Sequence, residues 1–381
     1  MRVLLVVEPG LDGAFRHVEG LARHLLGVGD TVHLAYSSRR TSRGLDELVA
    51  EVRARGGLAV DLEVGNAPRP GDVRALARLR RFVGRVRPDV VHSHSSKAGA
   101  LVRVLPSLGV RAPVVHTPHA YVGMDGSADA AVYWRVERLL GRVGTTITIS
   151  PDEADFARTR LGIPSARVRT VHNPVDLARF VPGDAVRRAE LRAEYAIPDD
   201  AVVIGSVGRL APQKDPRTLF HSVWSVMQAD PSVWFVHVGH GELAEEMTAW
   251  AESTGMSERW VHVPYLESPE RIYQLFDGFV VCPIFEAGWP LVLLEALAAG
   301  LPVVTTRSPG MSDIDRAGLS HCWTASPRDV EGVARGLRHL VAAVSADATT
   351  NHRAYAAEHF DPAARYADVR AVYLEIAPST R

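Results

Sequence analysis

Two cations, Arg209 and Lys214, lie in residues 205–214 (GSVGRLAPQK), directly after an apolar β-branched run and directly before a stretch with helical spacing. A diphosphate held there would meet both side chains and the open amides of a helix, and charge-assisted bonds to phosphate are among the strong ones. Gly208, then Gly239 and Gly241 after the next apolar run, let backbone approach such a ligand closely. Residues 285–302 (FEAGWPLVLLEALAAGLP) join a Gly/Pro turn to a helix, and Glu295, one turn into it, suits the hydroxyls of a ribose. Each segment alone is compatible with a tight turn and nothing more. Their shared position at the ends of apolar runs argues for one nucleotide site.

The first half holds a second set. Residues 8–17 (EPGLDGAFRH) form a small-residue turn around Gly13 that opens a helix and offers amides to an anion, with His17 further along that helix. The turn is not GxGxxG, and no acidic residue stands behind it to read a ribose, which argues against a nicotinamide enzyme. Residues 92–99 (HSHSSKAG) and 116–121 (HTPHAY) bring His92, His94, Lys97, His116, His119 and Tyr121 to two further strand ends. The four histidines alternate along those ends without a carboxylate or Cys at ligand spacing, so no metal is expected there. A neutral hydrogen-bonding or local-base role is, with Pro118 fixing the turn that aims His119.

Such strand ends need strands behind them. Apolar runs at 2–7, 31–35, 90–93, 114–117 and 146–150, and again at 202–207, 233–238, 260–263, 278–282 and 302–305, alternate with helical stretches. That alternation predicts α/β architecture with parallel sheets covered on both faces, whose ligands sit beyond the carboxyl ends of the strands. It occurs twice, and residues 174–182 (PVDLARFVP), polar and bracketed by prolines, form the join. A helix is expected over 216–227, with Asp215 capping, Pro216 in the first turn and Leu219, Phe220, Val223 and Met227 on one face. Another over 72–86 sets Leu76, Leu79, Phe82, Val83 and Val86 against Arg74, Arg78, Arg81 and Arg85. A third over 361–376 places Tyr366, Val369, Val372 and Tyr373 at helical spacing.

At 381 residues, 46% apolar and 23% charged, the chain can bury more than one core. The opening MRVLLVVEPG is too short for a signal sequence and lacks a cleavage site, and LVLLEALAAGLPVV is broken by Glu295 and Pro302 before it can span a bilayer. Cys282 and Cys322 stand outside any CxxC spacing, so neither a disulfide framework nor a zinc site is encoded and the cytosol is the expected compartment. Residues 1–180 hold 26 Lys/Arg against 18 Asp/Glu, and the remainder 17 against 26. The first half is therefore suited to an anionic neighbour, or the two halves simply carry differently solvated surfaces. Aromatics are not interleaved with the basic residues, which excludes a nucleic-acid groove of the stacking type.

Together these residues resemble the family 4 glycosyltransferases, with the two-domain fold called GT-B, along nearly the whole chain. The most specific pieces are VGRLAPQK and GWPLVLLEALAAGLPVV, supported by the turn at Gly13, the strand-end His119 and the NPVD join that contains Asn173. The resemblance implies two facing Rossmann-like domains, an acceptor-binding domain over 1–178 and a nucleotide-sugar-binding domain over 179–358, with a C-terminal helix (359–381) crossing back onto the first. It implies transfer of a sugar from a nucleoside diphosphate, UDP above all, to a hydroxyl acceptor with the anomeric configuration retained and without metal or other cofactor. Arg209 and Lys214 take the diphosphate, Leu291 and Val292 give backbone amides, Glu295 holds the ribose and His119 touches the transferred sugar. Gly13, Asn173, Gly208, Gly239 and Tyr265 complete the donor side, Tyr265 in the segment that edges the base. His17, His94, Lys97 and Tyr121 are assigned to the acceptor side. The acceptor is a lipid-linked saccharide or a small-molecule hydroxyl, and Arg74, Arg78, Arg81 and Arg85 are candidates for contact with an anionic membrane.

There are two departures from the family pattern. Ala287 stands where the family has a Glu beside the donor sugar, so either Glu286 takes that role or a hydroxyl ligand is lost. Pro309-Gly310 replaces the usual Gly-Gly. Asp313-Ile-Asp315 spells the DxD of metal-dependent transferases of another fold and reads here as a loop. A sugar-nucleotide 2-epimerase of the same architecture lacks its extra carboxylates in this chain, and a non-catalytic nucleotide-sugar binder is favoured only by Ala287.

Overall fold

A computed structural model of the chain describes residues 1–8, 12–40, 42–65, 69–124, 131–264, 266, 268–346 and 348–377. The chain forms two compact units, Met1–Pro174 with Pro362–Arg381, and Val175–Asp361. Among the described residues no helix is long and apolar enough to cross a membrane.

The first unit holds a seven-stranded parallel sheet of β1 (Arg2–Val7), β2 (Thr31–Tyr36), β3 (Ala59–Asp61), β4 (Val90–His94), β5 (Val114–Thr117), β6 (Thr145–Thr148) and β7 (Val168–Thr170), in the order β3-β2-β1-β4-β5-β6-β7. β1 shows why both faces must be covered. Val3, Leu5 and Val7 join one core with the helices Asp12–Gly27 and Arg43–Ala54, while Leu4 and Val6 join another with the helices Asp72–Val86 and Ser96–Val104. Successive side chains of a strand point to opposite faces, so an uninterrupted apolar run fits only a sheet buried on both sides.

The helix Pro362–Ile376 belongs to this unit. Tyr366, Val369, Val372 and Tyr373 enter the core of the first face. Arg370 Nε donates to Asp30 Oδ2 at 2.6 Å, and the same carboxylate receives the N-terminal ammonium at 2.6 Å. Asp30 is nearly buried, so two cations neutralise a charge that would otherwise be costly there, and they tie the last helix to the first strand.

The second unit holds β8 (Val202–Val207), β9 (Val233–Val238), β10 (Trp260–Val263), β11 (Gly278–Val281), β12 (Val303–Thr306) and β13 (Cys322–Ala325), all parallel, in the order β10-β9-β8-β11-β12-β13. Asp215 caps the helix Pro216–Ala229 through Thr218 N, and Leu219, Phe220, Val223 and Met227 are buried. Arg192 and Arg188 meet the carboxylate of Asp277, which also accepts from Val203 N at 2.8 Å and so fixes the start of β11 against β8.

Three strands escape the sequence pattern: β3, β7 and β13. All lie at sheet edges, run three or four residues and include Asp61, Arg169, Thr170 and Thr324. An edge strand has only one neighbour, so it needs neither length nor an apolar run. The strand expected over 146–150 ends at Thr148 because Ser150 already caps the next helix, accepting from Glu153 N at 3.0 Å.

Candidate functional site

In each sheet the strand order reverses beside a central strand, between β1 and β4 and between β8 and β11. Helices leave to opposite faces there, and a crevice opens at the carboxyl ends of the strands.

In the second unit the loops after β8 and β9 are laced together. Gly208 N donates to Val238 O at 2.9 Å and Leu210 N to His240 O at 3.2 Å. A Cβ at Gly239 would lie 2.0 Å from Gly208 O, so glycine is required by this approach. Arg209 is exposed on the loop so formed. The short turn Pro212–Lys214 follows, and Ile284 N donates to Gln213 O at 2.9 Å, which docks it on the segment after β11. Lys214 Nζ forms an ion pair with Glu286, whose other oxygen lies 3.4 Å from Gln213 Nε2.

Glu286 is seated by the unusual Pro309-Gly310 turn. Glu286 N donates to Pro309 O at 2.8 Å, and Gly310, at φ +92°, passes so close that a Cβ would be 2.0 Å from Glu286 O. The turn that departs from the family pattern therefore holds the one carboxylate next to Ala287. Further on, Pro290 begins the helix Leu291–Ala298 without a side-chain cap, leaving the amides of Leu291 and Val292 at its open end. Glu295 is buried (3% exposed) and accepts from the Tyr273 hydroxyl at 2.7 Å. Asp313 accepts from Trp289 Nε1 at 2.9 Å, whereas Asp315 meets Arg307 and Thr324, so the DxD carboxylates serve different partners.

In the first unit the histidines separate into two groups. His92 spends both ring nitrogens on structure, Nδ1 on Tyr373 Oη at 2.5 Å and Nε2 on Thr117 Oγ1 at 2.8 Å. His116 Nδ1 meets Ser93 Oγ at 3.1 Å. His94 Nδ1 lies 3.1 Å from His119 Nε2, and the His17 ring stands edge-on to His119 with centroids 5.0 Å apart. His92 and His94, two apart in β4, share one face with ring centroids 4.0 Å apart, but hydrogen bonding separates them: His92 is held by Tyr373 and Thr117, whereas His94 reaches His119, and the helix Asp12–Gly27 adds His17. Burial pushes the His17 pKa down to about 4, and lowers those of His94 and His119 as well. All three are neutral at pH 7.

His119 and Ala120 both have positive φ, +56° and +103°, in a turn held by Glu153. Its buried carboxylate accepts from Ala120 N at 2.9 Å and Ile149 N at 2.8 Å. Burial raises its pKa to about 7, against the pull of those two amides.

Several assigned residues have other duties. Lys97 is largely buried and ion-paired with Asp72 at 2.9 Å, closing the start of the helix Asp72–Val86. Tyr121 is buried (3% exposed) in a small core with Met124 and Ile163, stacked on Phe156. Asn173 Oδ1 bonds His17 Nδ1 at 3.2 Å. Arg78 bonds Asp61 O and Glu63 at 2.8 Å each, whereas the other three of that set, Arg74, Arg81 and Arg85, are exposed. Gly13 is exposed in the first turn of Asp12–Gly27. Tyr265, and Pro9 to Leu11 of the first turn, lie outside the described residues.

Sequence reasoning missed Tyr273, Glu153 and Gln213. Tyr273 and Gln213 lie far along the chain from the carboxylates they touch, so no local spacing marks them. Glu153 carried a signal: Ser150 three residues before an acidic residue spells a helix start, although nothing in it shows that the carboxylate turns back to Ala120.

The profile "Glycosyltransferase Family 4" matches residues 11–179, and the profile "Glycosyl transferases group 1" matches residues 187–357. The chain is 27% identical over 246 residues to the UDP-Gal:alpha-D-GlcNAc-diphosphoundecaprenol alpha-1,3-galactosyltransferase of Escherichia coli, covering 63% of each chain. It is 32% identical over 253 residues to D-inositol 3-phosphate glycosyltransferase 1 of Catenulispora acidiphila, covering 61% of this chain and 59% of that protein. The match thus spans about three-fifths of these relatives. In fold, the chain is similar to Anabaena HepE in complex with UDP, at a TM-score of 0.81 and 16% identity over 99% of this chain and 100% of that one.

Proposed function

We propose that this chain, which belongs to the family 4 glycosyltransferases and carries both of their domains, moves a sugar from a nucleoside diphosphate to a hydroxyl acceptor with its anomeric configuration retained. The observation that carries the reading is the arrangement at the carboxyl ends of β8 and β11, where Arg209 and Lys214 lie in the loop after β8 and the open amides of Leu291 and Val292, with Glu295, lie in the helix after β11. Arg209, Lys214 and the helix amides receive the departing diphosphate, and Glu295, oriented by Tyr273, receives the ribose. Glu286 supplies the carboxylate that Ala287 lacks. His119 faces the transferred sugar, with His17 and His94 toward the acceptor. Leaving and attacking oxygens share one face of the sugar, so no enzyme nucleophile is needed and the work of the protein is to stabilise the leaving group. UDP is the proposed nucleotide, supported by the E. coli relative, whose name specifies UDP-Gal, and by the HepE complex. Incubation with UDP-, GDP-, dTDP- and ADP-sugars tests this: the expected result is consumption of a UDP-sugar in EDTA, with an α-donor giving an α-product. An inverted product, or consumption of none, overturns it.

A lipid-linked acceptor, as in the name of the E. coli relative, requires a surface that meets a membrane. We place it on the helix Ala131–Leu140, which has no buried residue and exposes Val132, Tyr133, Val136 and Leu139. Its other side is fastened by Glu137 to Arg103, at 2.8 Å through both oxygens, and by Trp134 Nε1 to Val122 O. The helix Asp72–Val86 buries its apolar stripe and contributes charge alone, through Arg74, Arg81 and Arg85. Val136→Asp with Leu139→Asp is expected to weaken co-sedimentation with anionic vesicles about a hundredfold or more, since each side chain forfeits about 1.5–3 kcal/mol of burial. Unchanged binding, or none in the wild type, removes the membrane face and leaves a soluble acceptor.

A further inference from the structure

We propose that His17, His94 and His119 form a binding site for one Zn2+ ion, or a similar imidazole-seeking divalent metal, that the sugar-transfer chemistry does not require. One ring nitrogen from each residue lies within 4.8 Å of the others. His94 Nδ1 and His119 Nε2 are already 3.1 Å apart, close to the separation of about 3.3 Å that two ligands on one tetrahedral ion require with bonds of about 2.0–2.1 Å. Binding draws the His17 nitrogen in from a separation within 4.8 Å toward the same value.

Three further observations point to a ligand rather than to packing. First, His17 Nε2 is buried and has no hydrogen-bond partner among the described residues, while His17 itself is 4% exposed. A buried polar atom left bare is unfavourable, and a metal relieves it. Second, Asn173 Oδ1 can only accept, so its 3.2 Å bond places the proton on His17 Nδ1 and leaves the Nε2 lone pair free. Metal-ligating histidines commonly have an outer partner of this kind, which fixes the tautomer and turns the other nitrogen to the ion. Third, His94 is fully buried but His119 is half-exposed, which gives an ion an entry path and a solvent molecule the fourth position.

The neighbouring histidines do not compete. His92 has both nitrogens engaged, and His116 is held by Ser93. Imidazole ligands with no thiolate or carboxylate favour Zn2+, Cu2+ or Ni2+ over Mg2+ and Ca2+. Because the transferred sugar is assigned to His119, a bound ion also makes Zn2+ an inhibitor of transfer.

The test is titration of EDTA-treated, dialysed protein with Co2+ and then Zn2+, read by the visible bands of tetrahedral Co2+ and by metal content. The expected result is one Co2+ per chain, displaced by one Zn2+, abolished in His17→Gln and in His94→Gln. Asn173→Ala, which leaves all three ligands in place, is expected to weaken binding about 10–100-fold. Imidazole 15N shifts in the wild type repeat the test without substitution, with three histidines shifting together at one equivalent of Zn2+. No stoichiometric uptake, uptake undiminished in both His variants, or shifts confined to surface histidines such as His240 and His339 overturns the site. None of these readouts depends on the donor or acceptor, so failure here leaves the transferase reading standing.

Discussion

Lys214→Ala lowers turnover about 10²-fold or more while the protein remains folded. Lys214 ends a short turn after β8, and its ammonium meets Glu286, a largely buried carboxylate. In the proposed reaction the leaving diphosphate gains charge as the glycosidic bond breaks, and a cation fixed beside it stabilises that state more than the ground state, so the loss falls on kcat. The fold survives because Lys214 belongs to no core and the helix after it is capped by Asp215. A rival account makes Lys214 only the counter-ion of Glu286. The double variant Lys214→Met with Glu286→Gln separates the two, since it removes both charges and leaves no buried carboxylate unpaired. Activity in the double variant equal to that of Glu286→Gln alone supports the counter-ion account; a further loss of about 10²-fold below Glu286→Gln supports the leaving-group role. Wild-type turnover in Lys214→Ala contradicts the mechanism.

Acidification from pH 7 to pH 5 destabilises the protein by several kcal/mol, read as a falling thermal midpoint in EDTA. Burial lowers the pKa of His17 to about 4 and of His237 to about 3, against an unfolded value of 6.5. Groups depressed in the folded state stabilise it above pH 6.5 and lose that contribution as pH falls toward the folded value, because the unfolded chain takes up the protons. At pH 5 each of these two costs about 2 kcal/mol. His92, His94, His116 and His119 are shifted the same way by burial and add to the loss. Glu153 opposes them. Its raised pKa, about 7 against 4.5 unfolded, gives stability that is complete below pH 4.5 and lost as pH rises through 7, so acid relieves it. One carboxylate offsets only part of the histidine effect, against a typical total stability of about 5–15 kcal/mol. A midpoint that is flat or rising between pH 7 and pH 5 contradicts this balance of buried groups.

The parallel sheets were legible because a strand buried on both faces must be apolar throughout, and ten such runs stand out in the chain. The cations after β8 and the Glu295 helix were legible for a related reason: polar residues directly after such a run lie at the carboxyl end of a sheet. What stayed hidden depends on pairing across the fold. The edge strands β3, β7 and β13 are too short and polar to stand out. Lys97 has the type and position of a ligand-binding residue, but only the fold reveals that Asp72 neutralises it. The histidines show the limit most plainly. Period-two spacing puts His92 and His94 on one face of β4, yet which of them is tied to Tyr373 and which meets His119 and His17 depends on partners delivered by other elements. Tyr273 and Glu153 act through hydrogen bonds to residues on other elements, which one sequence does not encode as a pattern.

The measurement that bears most directly on the central claim is calorimetric titration of UDP, GDP, dTDP and ADP into the protein in EDTA, in the wild type and in Glu295→Ala. The account predicts that UDP binds at one site per chain without metal, and that the variant binds it about tenfold or more weakly through loss of a charge-assisted bond to the ribose. No binding of any of the four, or UDP binding equally tight in both proteins, would contradict it.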